Sequence, residues 1–204
     1  MKYQEILNYG SRILKINNIK SYNLDSELLL SSTLKIDRPQ ILLNSHKEIK
    51  TREIKFFLNL IKRRKKSEPI AYIIGYKEFW KENFKVNKNV LIPRPETEIL
   101  VEQVLHELNN DSKKRILDIG TGSGCIILSI LNERKKCIGV GIDISKNAIK
   151  LAKYNAKIQH IKNRIKFFNT DIDNFYSNKY DLIISNPPYI NLGKINCLDK
   201  DIKD

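Results

Sequence analysis

The sequence predicts an α/β protein, an open parallel sheet with helical crossovers behind a small helical domain. Three observations predict it. From Lys114 onward, short β-branched runs alternate with helical patterns. About the first seventy residues carry apolar side chains at helical spacing only. Between the two lies an aromatic and β-branched stretch bounded by glycine and proline. The chain has 204 residues and is 41% hydrophobic, enough for one well-buried core and a small accessory domain.

In chain order, Tyr3, Ile6, Leu7, Ile13, Leu14 and Ile16 mark a first helix. Asp25, ahead of Glu27-Leu28-Leu29-Leu30, is placed to cap a second. Pro39 opens a third through Leu43. Thr51 to Lys66 makes a fourth, with Ile54, Phe57, Leu58 and Ile61 as its apolar stripe. Glu68-Pro69 breaks the helical pattern. Tyr76 to Ile92 then reads as a hairpin, with Asn87-Lys88-Asn89 as its turn. Pro93-Arg94-Pro95 must be extended, because proline drives its predecessor out of the helical region. A helix over Glu96–Leu108 follows, its acids Glu96 and Glu98 in the first turn. Then come a strand over Arg115–Ile119, a helix over Ser123–Leu131 and a strand over Cys137–Ile142. A helix over Ser145–Gln159 and strands over Ile165–Phe168 and Tyr180–Ser185 complete the alternation. The expected organisation is a helical domain (1–75), a β-hairpin linker (76–95) and an α/β domain (96–204).

Composition narrows the function classes. No apolar run reaches the roughly eighteen residues of a membrane span, and the N-terminus lacks the apolar core of a signal peptide, so a cytoplasmic location is expected. Cys125, Cys137 and Cys197 are unpaired by spacing, and His46, His106 and His160 lie far apart, so neither a disulfide framework nor a metal site is expected. The net charge of +14 invites a nucleic-acid reading. A chain rich in Lys, Ile and Asn reaches that charge through lysine as its default surface residue. The one dense cluster, Lys62-Arg63-Arg64-Lys65-Lys66, sits where the helix dipole favours cations and reads as a solvated helix end.

Three motifs carry chemistry. Asp118-Ile119-Gly120-Thr121-Gly122-Ser123-Gly124 ends a strand and opens a helix, and its glycines permit a tight turn and close ligand approach. Dinucleotide enzymes use a related turn with a different glycine spacing, and the missing Lys-Ser/Thr excludes a phosphate-cradling P-loop. Asp143 ends the next strand about twenty residues on, where an acid can hold ribose hydroxyls; Ser145 is a competing cap for the following helix. Asn186-Pro187-Pro188-Tyr189 follows the last strand directly. Ligands of open α/β sheets sit beyond the carboxyl ends of strands, so all three motifs point to one crevice. There the Asn186 side-chain oxygen and the Pro187 carbonyl can each accept one hydrogen of a planar amide or amine. That contact orients the nitrogen toward a methyl donor, and Tyr189 can stack on the planar group.

Together these segments resemble the class I methyltransferase fold, a Rossmann-like sheet, with a tetrad shared by adenine-N6 and cytosine-N4 DNA methyltransferases and by protein glutamine methyltransferases. Glu68-Pro69-Ile70-Ala71-Tyr72-Ile73-Ile74-Gly75, Glu78-Phe79-Trp80 and Val90-Leu91-Ile92-Pro93-Arg94-Pro95-Glu96-Thr97-Glu98 resemble the release-factor glutamine methyltransferase family over essentially the whole chain. The resemblance implies S-adenosylmethionine as cofactor and peptide-chain release factors as substrate, with N5-methylation of the glutamine in a Gly-Gly-Gln motif by direct displacement. The positively charged donor supplies the driving force, so the resemblance implies no metal and no conspicuous general base. It implies that residues 1–75 recognise the substrate. Gly120, Thr121, Gly122, Ser123 and Gly124 would contact the cofactor's methionine and ribose, Asp143 the ribose hydroxyls, and Asp171 and Ile172 the adenine. Asn186, Pro187, Pro188 and Tyr189 would hold the glutamine amide, with Asn186 also beside the cofactor, in a monomeric enzyme. The other readings are a nucleic-acid amino-methyltransferase, which would need a base-flipping target region the sequence does not display, and an inactive remnant. The resemblance further implies strands and helices beyond Asp204, so an incomplete sheet with an exposed last strand is expected.

Overall fold

The computed structural model describes residues 1–176 and 179–187. They fall into two compact units, residues 1–74 and residues 75–187.

The first unit is helical: α1 (Tyr3–Ile16), α2 (Tyr22–Leu34), α3 (Arg38–Leu43), α4 (Thr51–Arg64) and α5 (Ile70–Ile74). Helices α1 and α4 begin alike. The Glu5 carboxylate accepts the Lys2 N–H and the Glu53 carboxylate accepts the Lys50 N–H, each at 2.9 Å, closing an otherwise orphan donor. Their apolar stripes meet in a core of Ile6, Leu14, Leu29, Leu30, Phe57 and Ile61. Two expectations are corrected here. Asp25 is not a cap: α2 starts earlier, and Asp25 lies inside its first turn, 3% exposed. Nor is the basic cluster wholly a solvated helix end. Arg64 is equally buried and donates through Nε to Asp25 Oδ2 at 2.7 Å, while Arg63 pairs with Glu68. The buried carboxylate explains why one cation of the run turns inward. Pro69, expected only to break a helix, also stands directly before α5, and its carbonyl accepts the Tyr72 and Ile73 N–H groups at 3.0 and 3.2 Å.

The second unit opens with a hairpin, β1 (Tyr76–Phe79) paired antiparallel with β2 (Glu82–Lys85). Its turn is Trp80-Lys81, not Asn87-Lys88-Asn89. The asparagine segment forms a separate turn, with the Val90 N–H donating to the Asn87 carbonyl at 3.1 Å. Trp80 takes φ +58°, a region usually left to glycine or asparagine, so no turn residue announces it. Contacts from elsewhere hold it there. Glu98 accepts its backbone N–H at 2.7 Å, and Glu133 accepts its indole N–H at 2.9 Å.

A 3-10 turn over Pro95–Thr97 leads into α6 (Glu98–Glu107). The alternating region then runs β3 (Arg115–Ile119), α7 (Cys125–Glu133), β4 (Ile138–Asp143), α8 (Lys146–Ile158), β5 (Ile165–Asn169) and β6 (Leu182–Ser185). The four strands form one parallel sheet in the order β5-β4-β3-β6. Every residue of α7 from Cys125 to Leu131 is buried, which explains a helix apolar on all sides. The chain lays down β3, β4 and β5 in one direction, then returns to place β6 on the other flank of β3. That reversal opens a crevice at the carboxyl ends of β3 and β6.

Candidate active site at the carboxyl edge of the sheet

Register brings the motifs together. Ile119 pairs with Ile142 on one side and Ser185 on the other, and Asp143 pairs with Asn169. The loops that begin at Gly120, Ile144, Thr170 and Asn186 therefore leave the sheet in one row. Hydrogen bonds bind the row. The N–H groups of Gly120 and Thr121 both donate to the Ile142 carbonyl at 2.9 Å. Thr170 N–H and Asn169 Nδ2 both donate to the Asp143 carbonyl, at 3.1 and 3.0 Å. The Ser185 hydroxyl donates to the Ile119 carbonyl at 3.2 Å.

The glycine turn is built from left-handed backbone: φ is +72° at Gly120 and +55° at Gly122. A Cβ at Gly120 would meet nothing within 4 Å, so this stretch of backbone faces open space. Gly124, also left-handed, differs: a Cβ there would lie 3.0 Å from Leu128 Cδ1, so it serves the packing of α7. Ser123 is buried, and its carbonyl accepts Asn155 Nδ2 at 2.8 Å.

Asp143 stitches two loops. Its Oδ2 accepts the Gly122 N–H at 2.9 Å and its Oδ1 accepts the Ser145 N–H at 2.8 Å. Ser145 itself caps α8 by accepting the Ala148 N–H at 3.2 Å. A carboxylate offers about four acceptor sites, so Asp143, half-buried, keeps capacity for a ligand's hydroxyls. Asp171 and Ile172 follow β5 and are exposed. Asp171 accepts both the Asn174 N–H, at 2.7 Å, and Asn174 Nδ2, contacts that hold its carboxyl below the usual range. Asn186 is half-buried after β6, with exposed Pro187 beside it. Pro188 and Tyr189 lie outside the described residues.

Three contributors went unsingled in the sequence. Asp118 is buried, and its Oδ2 accepts the Thr121 hydroxyl at 2.7 Å while its Oδ1 has no hydrogen-bond partner among the described residues. Burial pushes its carboxyl up to about 6; the Thr121 hydroxyl opposes that rise and the nearby Asp143 charge adds to it. Its signal was a carboxylate directly ahead of the glycines. Asn155, fully buried on α8, accepts the Lys85 N–H at 2.9 Å and donates to the Lys85 and Ser123 carbonyls, joining the hairpin to the glycine turn. A lone amide on an apolar helix face was the signal for it. Thr97 accepts Asn186 Nδ2 at 3.2 Å. Cys125 and Cys137 are free and buried; burial pushes the Cys125 thiol up to about 12.

Comparison with known proteins follows the same division. Residues 5–75 match the PrmC N-terminal domain and residues 95–198 the methyltransferase small domain. A release factor glutamine methyltransferase of Buchnera aphidicola subsp. Baizongia pistaciae is 42% identical over 202 residues, 99% of this chain and 72% of that protein. The chain belongs to the release factor glutamine methyltransferase family. A second relative of the same name, from Clostridium acetobutylicum, is 40% identical over 207 residues, covering 100% of this chain and 73% of its own length. Among solved structures, a SAM-dependent methyltransferase from Geobacter sulfurreducens in complex with S-adenosyl-L-homocysteine is similar over 45% of this chain and 36% of that one, at 26% identity and TM-score 0.39. Among the described residues of this family member, no helix is long and apolar enough to cross a membrane.

Proposed function

We propose that this chain transfers a methyl group from S-adenosylmethionine to the side-chain amide of the glutamine in the Gly-Gly-Gln motif of peptide-chain release factors, giving N5-methylglutamine and S-adenosylhomocysteine, with one amide proton released to water. The observation that carries the reading is the placement of Asn186 and Pro187 beside the glycine turn, at the reversal of strand order, in a member of this family.

The residues present fit the cofactor. Open space over Gly120 admits a ligand against the backbone, and Asp143 retains acceptor sites for ribose hydroxyls. Two carboxylates at one turn suit a cationic ligand better than a pyrophosphate. When bound, S-adenosylmethionine supplies an electrophilic methyl on a positively charged sulfur. The chain's own work is positional. Asn186 Oδ1 and the Pro187 carbonyl, which follows no N–H of its own, accept the two amide hydrogens and hold the nitrogen in line. Pro188 and Tyr189 complete the amide site, and Asp171 and Ile172 flank the adenine. Residues 1–75 recognise the release factor and 96–204 form the transfer domain, with the hairpin of residues 76–85 packed into the same unit as the sheet, in a cytoplasmic monomer.

Incubation with methyl-labelled S-adenosylmethionine and a release factor tests this. Label should reach the release factor and fail to reach one whose Gly-Gly-Gln glutamine is replaced. Label on the replaced factor, or on added DNA or RNA instead, contradicts the proposal.

A further inference from the structure

Thr97 ends the 3-10 turn and stands at the N-cap of α6. A threonine there ordinarily accepts an N–H from the first turn of its own helix. This one makes no such bond. Its Oγ1 accepts instead from Asn186 Nδ2 at 3.2 Å, across 89 residues of sequence.

The support is itself held. The Thr97 N–H donates to the Arg94 carbonyl at 3.0 Å, and the next residue, Glu98, accepts the Trp80 N–H at 2.7 Å. A carboxamide has a donor end and an acceptor end. With Nδ2 engaged by Thr97, the acceptor end of the carboxamide is turned away from Thr97. A hydroxyl can also donate, so the contact first fixes the plane of the amide; the sense seen in the structure is Nδ2 to Oγ1.

We infer that Thr97 is a positioning residue for methyl transfer, holding the Asn186 carboxamide so that Oδ1 accepts from the substrate amide. The inference rests on the amide-clamp reading of Asn186. Thr97 acts through Asn186, spending its hydroxyl on a distant loop at the cost of its own helix cap.

The test compares Thr97→Val, which keeps the shape and removes the hydroxyl, with Thr97→Ser, which keeps the hydroxyl. Valine should lower kcat about tenfold, the loss expected of one hydrogen bond, with the dissociation constant for S-adenosylmethionine within about twofold. Serine should restore most of kcat. The Asn186 side-chain amide resonances should shift in the valine variant and return in the serine variant, with no fall in Tm. Wild-type kcat and unmoved Asn186 resonances in Thr97→Val would overturn the inference, as would a serine variant as slow as the valine one. A wild-type chain that transfers no methyl would fail the functional reading instead, and the resonance comparison alone would then decide whether Thr97 holds Asn186.

Discussion

Replacing Asp118 with asparagine keeps the shape of a buried side chain and removes its charge. Burial raises the folded-state carboxyl from 3.8 to about 6. At about 1.36 kcal/mol for each tenfold change, that gap corresponds to ~3 kcal/mol. The folded protein holds the proton more tightly than the unfolded chain does. The carboxyl therefore contributes stability that is fully present below about pH 4 and is lost as pH rises through about 6. At neutral pH the protein carries a buried, largely ionised carboxylate with one oxygen unpartnered among the described residues. Urea unfolding of wild type and Asp118→Asn across this pH range isolates the group, because every other carboxylate is common to both. The asparagine variant should gain on wild type by roughly 2–3 kcal/mol between about pH 4 and pH 7. A difference that stays flat with pH would refute the reasoning. The carboxylate holds the glycine turn through the Thr121 hydroxyl, so Asp118→Asn should also bind S-adenosylmethionine more weakly.

Other substitutions test the remaining parts. Asp143→Ala removes the acceptor shared by Gly122 and Ser145, and should weaken S-adenosylmethionine by about tenfold or more in calorimetry; equal affinity would remove Asp143 from the ribose site. Asn186→Ala should cut turnover by about a hundredfold or more with cofactor affinity within about twofold, and undiminished turnover would contradict the amide clamp. In the helical unit, Asp25→Ala removes the buried carboxylate that faces Arg64, leaving a buried guanidinium that still donates to the Glu68 carbonyl but has lost this counter-charge, and should cost about 3–5 kcal/mol in urea unfolding. A loss below about 1 kcal/mol would show that Arg64 finds other partners.

The parallel sheet and its row of loops were legible because two signals coincided. The alternation from Arg115 to Ser185 has the period of strands and crossovers, and each motif falls directly after a strand. Local chemistry also marked Ser145 as a cap. The misplaced hairpin turn shows the limit of such signals: Trp80 is held at positive φ by Glu98 and Glu133, 18 and 53 residues away, so tertiary contact overrode turn propensity. Asp25 and Arg64 fail alike, since each looks like an ordinary helix-end residue until the other is beside it. Thr97 was quoted for its family pattern, but nothing local could show that its hydroxyl reaches Asn186.

The most direct measurement is tandem mass spectrometry of a release factor after incubation with this chain and S-adenosylmethionine. One methyl group on the glutamine nitrogen of the Gly-Gly-Gln peptide, absent with Asn186→Ala, is the predicted result. A methyl group on any other residue, or an unmodified peptide from a chain shown to bind the cofactor, would contradict the account.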